Sequence, residues 1–238
     1  MIPIIKEHFL QDVNVKIDPT KYTVGEEFNS QYGIPDLLFY NFNNAILNKR
    51  MRENTEPVLS RDIIKTLLFI QNKRKVSLSF LHENLPFNKD ALKNRIVKYL
   101  LNKNYLSRTL NDCESFWVGE NIYKTGMDNM FAIEAKVSNW KRGFYQAYRY
   151  KWFSNYSFLA MHCKFIRPAL SNIGLFEKYN IGLISVNSDN STIEVLRNPR
   201  KEDAYSPEMA AMTFEKLFAT YLEKNADSQS AQSSCLTI

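Results

Sequence analysis

The hydrophobic period of this chain changes twice, and that double change constrains its fold more than any other feature. Up to Tyr40 the apolar residues come in short runs bounded by turn residues. The segment Lys21–Phe42 shows this, with a turn signal at Tyr32-Gly33 and an apolar run from Asp36 to Tyr40. The first forty residues are therefore expected to be strands. From Ser60 the apolar spacing becomes helical, and from Met130 strand-like runs alternate with helical stretches. Alternation of this kind predicts an α/β sheet flanked by helices. A helical block lodged inside it predicts a discontinuous domain, residues 1–55 with 118–224, carrying an insert over 56–117.

The inserted block has its own internal order. Ile63, Ile64, Leu67 and Leu68 share one helix face, with Ser60 placed as N-cap. A basic turn, Asn72 to Lys75, ends that helix. Ser77 then opens a second helix, and a third opens after Asn88, burying Leu92, Ile96 and Leu100. Lys93, Asn94, Arg95 and Lys98 are left facing outward. Tyr105–Gly119 follows as a two-stranded ribbon turning at Asn111-Asp112. Three helices, the third basic, followed by a ribbon resemble a winged helix-turn-helix, in which the third helix would enter the major groove of DNA. Charge points the same way. Lys49 to Leu110 holds fourteen Lys/Arg against five Asp/Glu, leaving the rest of the chain with seventeen against twenty. A surplus concentrated in one segment attracts a polyanion, although charge alone also fits a solvated helical surface.

Beyond the insert the expected elements are a strand at Met130–Val137, a long helix from Ser138, and a strand at Ser157–Cys163. A helix near Pro168–Tyr179, a strand pair over 181–198 and a last helix from about Pro207 to Leu222 complete the series. The polar tail over 225–238 is expected to be disordered.

Chemistry concentrates in the strand Phe131–Val137. Side chains alternate along a strand, so Glu134 and Lys136 share one face while Ile133, Ala135 and Val137 share the other. A carboxylate and an amine on a strand this apolar need either a partner or a task. A second carboxylate, Asp36, heads the earlier apolar strand behind Gly33-Ile34-Pro35.

Together, Pro35-Asp36 and Glu134-Ala135-Lys136 resemble the half-motifs of the PD-(D/E)xK nuclease superfamily. Gln146 and Tyr150, four apart on the following helix, are similar to the QxxxY motif of its RecB-like members. The resemblance implies a restriction-endonuclease-like fold and catalytic roles for Asp36, Glu134, Lys136 and Gln146. It further implies a Mg²⁺ or Mn²⁺ ion held by Asp36, Glu134 and the Ala135 carbonyl, hard oxygen donors suited to such ions. Tyr150, Arg142 and Arg149 would contact the nucleic-acid backbone. The spacing departs from many members, since almost a hundred residues separate Asp36 from Glu134. That is consistent only if the insert lies between two strands of one sheet. Asp128 is an alternative first carboxylate, and Glu26 or Glu27 an additional ligand.

Other classes find little support. There is no GxxxxGK phosphate loop among only seven glycines, and His82 and His162 have no partners in sequence. Three scattered cysteines suit neither a disulfide framework nor a zinc site and point to a reducing cytoplasmic setting. No apolar run is long enough to span a membrane. Expected function is metal-dependent cleavage of DNA, acting as a homodimer or within a larger nucleoprotein complex. RNA cleavage, or a non-catalytic DNA-binding role on the same fold, remain open alternatives.

Overall fold

The computed structural model describes residues 1–110, 112–119 and 123–234, with side chains through Ala226. They divide into two compact units, 1–53 with 126–213, and 54–125 with 214 onward.

The first unit is built on a six-stranded mixed sheet: β1 (Thr23–Glu26), β2 (Leu37–Phe42), β6 (Met127–Lys136), β7 (Tyr156–His162), β8 (Gly182–Asn187) and β9 (Thr192–Arg197). These strands lie side by side in that order. The β6–β7 and β7–β8 pairs are parallel and the others antiparallel. Parallel strands covered on both faces should be apolar throughout, and β7 is buried at every position but its last.

Each face of the sheet has its own cluster. On one, Ile5 and Phe9 of helix α1 (Ile2–Asp12) meet Leu37, Phe39, Phe131, Ile133, Phe158 and Ala160. The Phe9 ring lies 5.0 Å from that of Phe39, 5.7 Å from Phe131 and 5.1 Å from Phe158. Helix α1 corrects the expectation of strands over the first forty residues. Pro3 fits a first helical turn, and Ile5 and Phe9, four apart, reach the sheet on one face. On the other face, Phe144 and Ala147 of α7 (Trp140–Tyr150) join Leu159, Met161, Phe176 and Leu183. Asn139 caps α7 by accepting from the Arg142 N–H. Two short helices, α8 (Arg167–Leu170) and α9 (Ile173–Lys178), stand where one was expected.

Helix α2 (Asn44–Arg52) ends the first segment of this unit. The second unit then holds α3 (Arg61–Ile70), β3 (Lys75–Ser77), α4 (Leu78–Asn84) and a continuous helical stretch. That stretch comprises α5 (Lys89–Ala91), a π-helical turn (Leu92–Val97) and α6 (Lys98–Asn102). The strands β4 (Leu106–Arg108) and β5 (Ser115–Val118) follow. Its sheet has three strands in the order β3-β5-β4, rather than the two expected. The extra strand is three residues long, too short for a visible alternation. Asn111, half of the expected turn pair, lies outside the described residues. Ser77 and Asn88 cap their helices through the N–H groups of Phe80 and Ala91. Ser60 makes no such side-chain bond.

The last helix, α10 (Pro207–Ser234), passes the expected end at Leu222 and includes most of the tail expected to be disordered. Glu223 and Lys224 and the Ala and Gln residues beyond them favour helix, while Asn225, Asp227 and the four serines do not, so the extension rests on propagation from the turns before it. From Phe214 this helix belongs to the second unit, not the first. No helix among the described residues is long and apolar enough to cross a membrane.

Candidate active site

The residues between β2 and β6 form an insert between two adjacent strands of one sheet, which is the condition that the Asp36 assignment needed. The register pairs Leu37 with Ile133 in antiparallel fashion, so one step further Asp36 stands opposite Glu134. Side-chain alternation sends Leu37 and Ile133 toward α1, and sends Asp36, Glu134 and Lys136 toward α7.

Glu134 is 1% exposed, whereas Asp36 and Lys136 are half-buried. The Lys136 ammonium donates to Glu134 Oε1, and the Tyr150 hydroxyl donates to Oε2. Asp36 Oδ2 accepts the Ala135 N–H at 2.7 Å, which ties the first carboxylate to the strand carrying the second. Burial pushes the Glu134 carboxyl above its usual range, and the Asp36 charge adds to the rise. The bonds from Lys136 and Tyr150 oppose it. Burial and the neighbouring Glu134 likewise push the Tyr150 hydroxyl far up. The Tyr150 oxygen also lies 2.9 Å from the Ile34 carbonyl oxygen. One hydroxyl proton cannot serve both acceptors at once, so Glu134 and Ile34 compete for it.

Tyr150 therefore has a different place from the backbone contact expected of it. It is 2% exposed and fastens the Gly33–Asp36 loop to Glu134 from beneath. Two glycines permit this packing. A Cβ on Gly33 would meet the Tyr150 ring at 2.7 Å, and one on Gly143 would meet Lys136 Cγ at 2.9 Å and Leu159 Cδ1 at 2.5 Å. Gly33 was legible only as a turn residue and Gly143 not at all, because their packing roles come from tertiary contact.

Gln146 lies one helical turn before Tyr150 on the same helix face. Its buried Oε1 has no hydrogen-bond partner among the described residues. Arg142 and Arg149 are exposed on α7, and Arg149 reaches the Tyr32 carbonyl at 3.4 Å. Between them Tyr145 is 68% exposed.

The alternative acids fall elsewhere. Asp128 sits at the opposite end of β6, six residues or ~20 Å from Glu134, and accepts from Asn43 Nδ2 at 2.9 Å. Glu26 pairs with Lys6 at 2.6 Å. Glu27 is nearer, its backbone N–H donating to the Asp36 carbonyl at 3.3 Å, and among the described residues no group of three or more His, Cys, Asp or Glu is arranged to hold a metal ion.

In the second unit, Lys93, Asn94, Arg95 and Lys98 are all exposed, as their spacing opposite Leu92, Ile96 and Leu100 required. Arg95 is engaged by Asp62 of α3, which reduces its availability to a ligand. Comparison with protein-family models, with curated proteins and with solved structures finds no match for this chain.

Proposed function

We propose that this chain is a divalent-metal-dependent nuclease of the PD-(D/E)xK, restriction-endonuclease-like type, hydrolysing phosphodiester bonds in DNA. The observation that carries the reading is the facing of Asp36 and Glu134 across β2 and β6, with Lys136 next on the same face. Two like charges set opposite each other in a largely dry position repel, and a cation between them relieves that cost. The donor set fits Mg²⁺ or Mn²⁺: carboxylate oxygens from Asp36 and Glu134, with the Ala135 carbonyl as a third hard ligand. When bound, such an ion supplies Lewis acidity toward the phosphate and lowers the pKa of a coordinated water.

The remaining chemistry belongs to the chain itself. Lys136, held at Glu134, orients the attacking water and stabilises charge growing on the phosphate oxygens. Gln146 offers its unpartnered oxygen to a proton of that water. Tyr150 holds Glu134 and the Asp36 loop in place. Arg142 and Arg149, exposed on the same helix, suit backbone phosphates. In this reading the inserted unit is a winged helix that binds the substrate through Lys93, Asn94 and Lys98, with Arg95 secondary. Its three helices and β3-β5-β4 sheet are in keeping with that. The setting proposed is a reducing cytoplasm, with the protein acting as a homodimer or in a nucleoprotein complex.

One observation favours a second reading, a DNA-binding protein without catalysis: both Glu134 oxygens are already engaged, by Lys136 and Tyr150. Supercoiled plasmid incubated with Mg²⁺ or Mn²⁺ separates the two. Wild type should nick or linearise it, and Glu134→Ala and Lys136→Ala should each slow cleavage by about a hundred- to a thousandfold. Binding without cutting, equal in all three proteins, would overturn the enzymatic reading.

A further inference from the structure

We infer that the second unit carries a binding site for unpaired nucleotides, distinct from the outward face of its third helix. The site is a surface hollow of about 430 Å³ lined by Lys73, Lys75, Val76, Ser77, Phe80 and Ser115. This lies within the size range of small-ligand sites, roughly 300–1,000 Å³.

Its construction follows from the pleat of the small sheet. Lys75 pairs with Trp117, Val76 with Phe116 and Ser77 with Ser115. Val76 and Phe116 turn into the core at 3% exposure each, so the Lys75–Trp117 pair turns to solvent, with Trp117 50% exposed. The Lys75 ammonium stands 5.6 Å from the centre of the Trp117 ring. Alongside, Phe69 and Phe80 stack with centroids 5.6 Å apart, and the Lys73 ammonium lies 5.0 and 5.1 Å from them. Hydrophobic burial does not explain a half-exposed tryptophan, and an ammonium over a ring keeps its outer hydrogens free for an anion.

Among the described residues neither lysine forms an ion pair with a carboxylate. Asp112 is the acid that senses this face. The Ser115 hydroxyl foremost, then the Glu114 N–H, and more weakly Lys75, hold its carboxyl below the usual range, yet Asp112 and Lys75 do not pair.

Flat aromatic faces alternating with free ammonium groups match a ligand in which flat bases alternate with phosphates. A sulfated polysaccharide would use the lysines and leave the rings idle. Duplex DNA would do the same, because its base faces are already covered by stacking. A single strand uses both, with bases against Trp117 and Phe80 and phosphates on Lys73 and Lys75. The choice of DNA as that strand rests on the nuclease reading above. On this view the unit grips a frayed or displaced strand as well as duplex.

The test is a titration of the full-length protein in EDTA, where cleavage cannot intrude. The probes are labelled oligothymidylate of about 12 nucleotides and a blunt duplex of about the same length. Oligothymidylate should quench tryptophan fluorescence in wild type. Trp117→Ala should abolish that quench and weaken oligothymidylate binding about tenfold, leaving duplex binding unchanged. The Lys73→Ala/Lys75→Ala double variant should weaken oligothymidylate binding at least as much. Trp117→Phe, which keeps a ring, should restore most of the affinity. Unchanged oligothymidylate binding in Trp117→Ala, equal loss for duplex, or a Phe variant as weak as Ala would each overturn the inference. Plasmid cleavage is scored separately, so failure of the nuclease reading gives a different result from failure of the hollow.

Discussion

Glu134 and Glu215 are both buried carboxylates, 1% and 0% exposed, but their surroundings give them opposite meanings. In the second unit, Glu215 of α10 accepts the Val58 N–H at 2.7 Å and the Tyr123 hydroxyl at 2.9 Å. Val58 and Tyr123 stand near the two ends of the insert, so this carboxylate acts as a clasp. In the first unit, Glu134 faces another carboxylate, an ammonium and a tyrosine that already leans on a backbone carbonyl. A buried carboxylate whose partners are structural donors stabilises a fold, while one set against a second carboxylate is, on the proposed reading, open to a cation. Burial by itself distinguishes neither.

Three experiments can break or sharpen this contrast. The largest effect is expected at Glu215. Replacing it with Ala orphans two buried donors and should cost about 3 kcal/mol, read as a lower midpoint in urea denaturation. Glu134→Gln, by contrast, should leave that midpoint unchanged or raise it in EDTA while abolishing cleavage. Equal destabilisation by both variants would dissolve the distinction. A smaller effect is expected for Tyr150→Phe, which keeps the ring against Gly33 and deletes the hydroxyl. Plasmid cleavage should slow by about tenfold or somewhat more, and half-maximal activity should require more Mn²⁺. A full-rate variant would reduce Tyr150 to packing alone.

The smallest effect is a pH slope. Because the folded state raises the Glu134 pKa, it binds that proton more tightly than the unfolded chain does. This contribution is complete below the ordinary carboxylate range and is lost as pH rises through the raised value. Urea midpoints in EDTA should therefore fall with increasing pH over that window, and Glu134→Gln should flatten the fall. A slope that survives the substitution belongs to some other group.

Much of this was readable from the sequence where a rule of period applied. Alternation alone set Glu134 and Lys136 on the face opposite Ile133 and Ala135, and helical spacing sent Lys93, Asn94 and Lys98 outward. Asp36 was less legible, because a Pro-Asp pair is ordinary turn chemistry until strand register brings it opposite Glu134. The spacing of Gln146 and Tyr150 put them on one face but could not say which would reach Glu134 and the Gly33–Asp36 loop, since that depends on Gly33 and Gly143 allowing close approach. Helix α1 escaped because two buried residues, Ile5 and Phe9, make a weak signal in a short helix. Strand β3 escaped because three residues show no period.

The placement of residues 54–125 of the second unit between β2 and β6 also has a consequence during synthesis. Asn43 and Asp128, which bond across the junction, are 85 residues apart in sequence. At ribosomal rates of roughly 5–20 residues per second, β2 would wait on the order of 4–17 seconds for its neighbour to emerge. Throughout that interval Leu37, Leu38, Phe39 and Tyr40, all buried in the finished protein, would line an open strand edge on the nascent chain. Such an edge is a template for unwanted pairing, so chaperone demand and yield on expression should depend on how quickly the insert folds and brings β6 into place.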